Sequence, residues 1–375
     1  MKKILKAIGY FFFGLLALVL LVFIGSVIFI NTSPQFGADP VEERLARISS
    51  SIHFKEGKFV NEVPTKAGED GDIRKILSDF LTAEHTVPEK ALPTKYREGT
   101  YQKKDSAAYL TWFGHSAFLL EIEGMNILLD PMLGDYAAPV FFFGQRFPFK
   151  KAIDFTLIPD RIDAVVYSHD HYDHLDYPTV ERIKDKVEHF YMPLGMGAHF
   201  ESWGIEPERI TELDWWESAN SGPLNLIATP ARHFSGRGLS NRDKTFWASW
   251  VIEGKYQKLF FSGDGGYSKG FKEIGEKYGP FDFTMMECGQ YNPQWAQIHM
   301  MPEETVQAHL DLKGEIMMPI HWGAFNLAPH AWKDPIERAE KKAEELGVKM
   351  FTPIVGERFA ISKDMQSENW WSELE

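Results

Sequence analysis

The chain has 375 residues, 44% apolar and 14% aromatic, enough for one large or two medium domains with a sizeable core. A formal charge of −13 argues against a nucleic-acid partner, because phosphate backbones are held by basic surfaces. The single cysteine, Cys288, rules out an intramolecular disulfide and any multi-cysteine zinc site, and reads as a small buried residue rather than a nucleophile.

Lys2, Lys3 and Lys6 precede an almost unbroken apolar run from Ile8 to Ile30. At ~1.5 Å per helical residue, about 20 such residues cross a hydrocarbon core. The run exceeds the ~7–15 residues of a cleavable signal, and Phe29-Ile30-Asn31-Thr32-Ser33 carries no small-residue cleavage site. Residues 1–33 are therefore expected to be a single-pass membrane anchor. The lysine flank would stay cytoplasmic and the remainder would face the periplasm or the exterior.

Residues 34–107 read as a linker and N-terminal extension. Pro34, Gly37 and Pro40 suit a linker, and short amphipathic helices are expected over Val41–Ile48 and Asp72–Leu81, the second with Ile73, Ile76, Leu77 and Phe80 on one face. Gly57–Gly71 reads as irregular.

Regular patterning marks residues 108–375 as the main domain. Tyr109–Phe113, Ala117–Ile122 and Asn126–Asp130 are expected to form an antiparallel meander with one buried face, its turns at Gly114-His115-Ser116 and Glu123-Gly124. Further strands are expected at Asp163–Ser168, Leu224–Thr229, Trp247–Ile252, Leu259–Ser262 and Phe283–Met286. Helices are expected at Thr179–Lys186, Lys269–Tyr278, Pro302–Leu312 and Pro335–Leu346. Strands followed by helices imply α/β layering.

The chemistry concentrates in Ser168-His169-Asp170-His171-Tyr172-Asp173-His174, directly after the apolar run Ala164–Tyr167. Neutral imidazole is the commonest biological metal ligand, and carboxylate oxygen completes the set. The spacing H-x-H-x-D-H is too tight for one helix or strand to aim every donor at one ion. A loop can split them, His169 and His171 to one ion and Asp173 and His174 to its neighbour. Other donors follow apolar strands: His233 in Thr229-Pro230-Ala231-Arg232-His233, Asp264 among the glycines of Ser262–Gly266, and His321 in Pro319-Ile320-His321. Asp130 ends a strand, as a partner for a ligand histidine or a cap on backbone amides. His115 lines the site or buttresses it, and Tyr172 is a substrate contact or a packed ring. His53, His85, His189, His199, His309 and His330 have no motif around them and read as structural.

Pro139–Lys151 is unusual. Phe141, Phe142, Phe143, Phe147 and Phe149 accompany Arg146, Lys150 and Lys151. The segment is either core beneath a long loop or a lipid-facing surface with its cations toward phosphates.

With these residues in place, the chain resembles the metallo-β-lactamase-fold hydrolases. It is most similar to the branch containing N-acylphosphatidylethanolamine-hydrolysing phospholipase D and its bacterial relatives. The resemblance runs from about Tyr109 to Phe359. It rests on Gly114-His115-Ser116, Leu129-Asp130-Pro131, the His169–His174 motif, Leu213-Asp214-Trp215-Trp216-Glu217, Gly263-Asp264, Gly279-Pro280-Phe281-Asp282, His299 with Pro302-Glu303-Glu304, and Ile320-His321-Trp322-Gly323. It implies an αββα sandwich behind the N-terminal transmembrane helix, with two metal ions at one edge. It further implies that His169, His171 and His233 bind one zinc, that Asp173, His174 and His321 bind the second, and that Asp264 bridges them. Gly265 departs from the threonine often found there. Zinc suits these donors, and manganese or iron would serve the same set. Such ions lower the pKa of a bound water from ~15.7 toward ~7, so no serine or cysteine nucleophile is required. Asp173 would orient or deprotonate the attacking water, and His299 would act as leaving-group acid or phosphate contact. The expected function is a membrane-anchored phosphodiesterase acting on N-acylphosphatidylethanolamine or related glycerophospholipids. The alternatives are a metal-dependent ester or lactone hydrolase, for example of a sugar-phosphate lactone, and a non-catalytic envelope protein. The complete ligand set weighs against the last.

Overall fold

The computed structural model describes residues 2–68, 71–96, 106–238 and 240–374. Residues 69, 70 and 97–105 of the expected extension lie outside the described residues.

Helix α1 (Lys2–Thr32) is apolar throughout and none of its residues is buried. It is long and apolar enough to cross a membrane. Helix α2 (Glu42–Ser49) follows, then a small hairpin of β1 (Phe54–Lys55) and β2 (Lys58–Phe59), the second strand falling within the Gly57–Gly71 stretch expected to be irregular. Its turn uses Gly57 at φ +81°, a conformation that glycine adopts without strain. Helix α3 (Ile73–Thr82) starts at Asp72, whose carboxylate accepts from the Arg74 and Lys75 amides. Ile48, Phe59 and Leu92 are buried in the main core, so these described residues pack onto the domain rather than trailing from it.

The first sheet opens with the expected meander β3 (Tyr109–Trp112), β4 (Phe118–Ile122) and β5 (Met125–Leu129). Parallel strands β6 (Ile162–Val166), β7 (Val187–Pro193) and β8 (Ile210–Leu213) extend it, with α4 (Tyr177–Ile183) and α5 (Gly197–Ser202) in the connections. The second sheet comprises β9 (Ser218–Ser221), β10 (Leu224–Thr229), β11 (Ser249–Glu253), β12 (Lys258–Phe261), then after α6 (Gly270–Lys277) β13 (Phe283–Glu287), and after α7 (Pro302–Asp311) β14 (Met317–Ile320). Past α8 (Asp334–Leu346) the chain returns to the first sheet as β15 (Arg358–Ala360), paired with β3.

Side-chain alternation explains the layers. In β4, Phe118, Leu120 and Ile122 enter the core between the sheets, while Leu119 enters a second core under helices. In β12, Leu259 and Phe261 face the inter-sheet core and Phe260 faces a third core under α6 and α7. The result is the expected αββα sandwich. The meander departs from expectation in one respect: β4 is buried on both faces, because outer segments cover the side expected to be solvated.

Candidate metal centre

Most of the candidate donors sit beyond the C-terminal ends of strands, at one edge of the sandwich. Parallel strands bring successive loops together there, as ligand sites in α/β sheets require. Asp130 follows β5, the His169–His174 loop follows β6, His233 follows β10, Asp264 follows β12 and His321 follows β14. His115, between β3 and β4, stitches the two sheets: its amide donates to Trp322 O and its carbonyl accepts from the His321 amide. His115, Asp130 and His321 hold φ of +54°, +37° and +67°. Non-glycine residues there cost about 1–3 kcal/mol each, and such strain concentrates at functional sites. Gly263, at φ +56°, lets the next turn close, since a Cβ there would lie 2.5 Å from Ser168 Cβ.

Backbone and carboxylate acceptors fix the imidazole tautomers. His233 Nδ1–H donates to Ile298 O at 2.9 Å and His174 Nδ1–H to Asp130 Oδ2 at 2.7 Å. Asp130 also accepts from the Ser168 amide and hydroxyl, and that hydroxyl lies 2.9 Å from His169 Nδ1. Asp130 is thus the partner of ligand-type histidines, not merely a backbone cap. Asp130, Ser168 and Ile298 O, holding the Nδ1 atoms, leave the Nε2 lone pairs of His174, His169 and His233 facing inward.

Those lone pairs converge. His171 Nδ1 lies 2.9 Å from His169 Nε2 and 3.2 Å from His233 Nε2. Burial, and then the neighbouring imidazoles, hold His169 and His233 well below the usual histidine range, in the neutral form that ligates. With His171 Nδ1 unprotonated, three neutral acceptors this close repel one another unless a cation sits among them, so the set fits a metal ion. A second group gathers His115, Asp173, His174 and His321 within 4.8 Å. Asp264 lies beside both groups, with Oδ2 3.1 Å from His174 Nε2 and 3.9 Å from both His169 Nε2 and His233 Nε2, and Oδ1 3.1 Å from His321 Nδ1. Among the described residues, His174 Nε2 and Asp264 Oδ1 are buried and make no hydrogen bond, close as they come to Asp264 Oδ2 and His321 Nδ1. A carboxylate oxygen and an imidazole nitrogen left so are costly in protein alone and natural beside a cation.

Other residues take supporting positions. His115 is fully buried and donates Nε2–H to Asp173 Oδ2 at 2.9 Å, so it buttresses the site. His299 stands at the mouth, its ring 5.1 Å from that of His233 and 5.3 Å from that of His321. Its Nδ1 is 3.2 Å from Glu287 Oε1. Burial pushes the Glu287 carboxyl up to about 7. His299 is raised as well: burial opposes this, but the Glu287 bond and charge outweigh it. Glu287 carries the same signature as Asp130, an apolar strand ending in a carboxylate. Asp170, the other carboxylate of the motif, is turned from the centre and bonds His199 Nε2, Thr245 Oγ1 and the Gly236 amide.

The donor cleft is lined by neither Arg146 nor Tyr172, two residues expected at the substrate. The Arg146 guanidinium turns inward, donating to Gly134 O and Met132 O and lying 4.4 Å from the Phe325 ring centroid, because a loop this long needs an internal tie. Tyr172 points away from the donors, with the Arg237 guanidinium 4.9 Å from its ring centroid. Phe141, Phe142 and Phe143 are exposed, at 77%, 78% and 55%, which removes the core alternative for these three. The cleft over the donors, about 290 Å³, is edged by Ala67, Phe234, Trp295 and Leu327.

A Beta-lactamase superfamily domain matches residues 125–322. An uncharacterized protein of Mycobacterium tuberculosis is 40% identical over 347 residues, 91% of this chain and 92% of its own. N-acyl-phosphatidylethanolamine-hydrolyzing phospholipase D 1 of Caenorhabditis elegans is 32% identical over 68% of this chain and 74% of its own. Among solved structures, a metallo hydrolase from Ignicoccus hospitalis shares the fold at TM-score 0.53 and 23% identity, over 68% of this chain and 99% of its own.

Proposed function

We propose that this chain, which belongs to the β-lactamase superfamily and is a metal-dependent hydrolase, hydrolyses a phosphodiester of a membrane glycerophospholipid of the N-acylphosphatidylethanolamine type. The observation that carries the reading is the convergence of inward-facing donors under a cleft with an apolar edge, in a chain similar to a phospholipase D. His169, His171 and His233 would hold one ion, Asp173, His174 and His321 a second, and Asp264 would face both; zinc suits these donors. When bound, such ions acidify water and offset charge on a phosphoryl oxygen.

The chain's own groups complete the chemistry. Asp173, held by His115, orients the attacking water and accepts its proton. His299 keeps a proton against Glu287 at the cleft mouth, where it can protonate the departing alkoxide. Asp130 and Ser168 lock the tautomers of His169 and His174, so the donors need little rearrangement.

Purified full-length protein in mixed micelles should convert N-acylphosphatidylethanolamine into phosphatidate and N-acylethanolamine, both identified by mass spectrometry. Brisk lactone hydrolysis without cleavage of any phospholipid would overturn the lipid assignment and leave the hydrolase.

The same reading anchors the domain by α1 with its lysine end in the cytoplasm. A C-terminal reporter that works only after export should be active, and one confined to the cytoplasm should stay dark. The reverse pattern would exclude this topology.

A further inference from the structure

A groove of about 1350 Å³ runs between the last turns of α1 and the loop Pro139–Phe142. It exceeds the roughly 300–1,000 Å³ of a drug-sized pocket. Val22, Gly25 and Phe29 form one wall, Phe141 and Phe142 face them, and the inner end reaches Tyr172 and Asp176. The metal loop divides this groove from the donor cleft: His171 and Asp173 line the cleft, whereas Tyr172 between them lines the groove. Behind Tyr172 lies Arg237, a buried guanidinium that donates to Asp170 O, Leu175 O and Gln35 O and so ties the metal loop to the residues following α1.

We propose that this groove binds an acyl chain of a bilayer lipid, a proposal that rests on the reading of α1 as a membrane anchor. Three observations select that occupant over a soluble ligand or a protein. The groove shares its wall with a helix of which no residue is buried, so whatever surrounds α1 is continuous with the groove. Its facing wall is two phenylalanines 77% and 78% exposed, which is costly in water and favourable among acyl chains. Its rim carries the exposed Arg182, whose guanidinium lies over the Phe155 ring at 4.6 Å, a cation placed for a lipid phosphate. A lipid held there touches Tyr172, and through Arg237 the ordering of the metal loop depends on the membrane.

The test uses full-length protein in phosphatidylcholine vesicles doped with a phosphatidylcholine that carries a photoactivatable group on one acyl chain. After irradiation, adducts are mapped by mass spectrometry. Adducts should appear within Tyr172–Tyr177 at the groove-lining Tyr172, Asp176 and Tyr177, as well as along α1. Gly25→Phe should lower the Tyr172–Tyr177 adducts by about tenfold, while adducts at Phe11 and Phe12 on the far part of α1 persist. A Cβ at Gly25 meets nothing within 4 Å, so the side chain fills the groove rather than disturbing the helix. Ser26→Leu, also on the groove wall, should act alike. Competition identifies the source: displacement by N-acylphosphatidylethanolamine alone assigns the groove to the substrate's chain, and equal displacement by plain phosphatidylcholine assigns it to a resident lipid. Labelling of α1 without Tyr172–Tyr177, or labelling there unchanged in both variants, would overturn the proposal. The readout requires no turnover, so failure of the phosphodiesterase reading would leave the labelling result standing.

Discussion

Asp264→Asn should strip metal from the purified protein and lower hydrolysis by about 10³-fold or more. Wild-type protein should contain about two ions per chain by elemental analysis. Asp264 approaches the inward-facing nitrogens of both imidazole groups, with Oδ2 near His174, His169 and His233 and Oδ1 near His321. Asparagine keeps the shape and removes the negative charge that both cations would share, so both sites weaken together. Losing several kcal/mol of charge stabilisation corresponds to at least ~10³-fold in rate. His321→Ala should behave differently, mainly emptying one site, because its ring stands with His174 and Asp173 rather than with His169 and His171. Two ions retained in Asp264→Asn, or one at most in the wild type, would contradict the ligand assignment.

His299→Ala should slow turnover by about 10²-fold with metal content unchanged, the usual contribution of one positioned acid. The residue lies at the mouth with its side chain 13% exposed, paired to a fully buried Glu287. Glu287→Gln should produce a smaller loss in the same direction, since the glutamine keeps a hydrogen bond but not the charge that favours protonated His299. If both variants lost metal in proportion to activity, His299 would be a ligand and not an acid.

Much of this site was legible in the sequence because each of these donors follows a short continuous apolar run of the kind that forms a buried strand. Asp130 after Leu128-Leu129, Asp264 after Phe260-Phe261 and His321 after Pro319-Ile320 read alike, and all three lie at one edge. Glu287 ends an apolar strand too, but a carboxylate there gains meaning only beside His299, twelve residues on and across the fold. Strands β7 to β9 were not expected, since polar positions such as Glu188, Thr211 and Asn220 interrupt the apolar pattern over short spans. The aromatic loop shows what composition hides: Phe141–Phe143 lie outside while Arg146 turns in. Arg237 carried no motif at all. Its role comes from carbonyls of Gln35, Asp170 and Leu175, which only the fold assembles.

The measurement that tests the phosphodiesterase account most directly is hydrolysis of N-acylphosphatidylethanolamine in water enriched in heavy oxygen. Attack at phosphorus breaks the bond to the head-group oxygen, leaves the incoming oxygen on phosphate and releases N-acylethanolamine. Attack at an acyl carbonyl leaves the incoming oxygen on a fatty acid. The account predicts one heavy oxygen in the phosphate of phosphatidate and none in released carboxylate. Label recovered in a fatty acid, with phosphatidate absent, would contradict it.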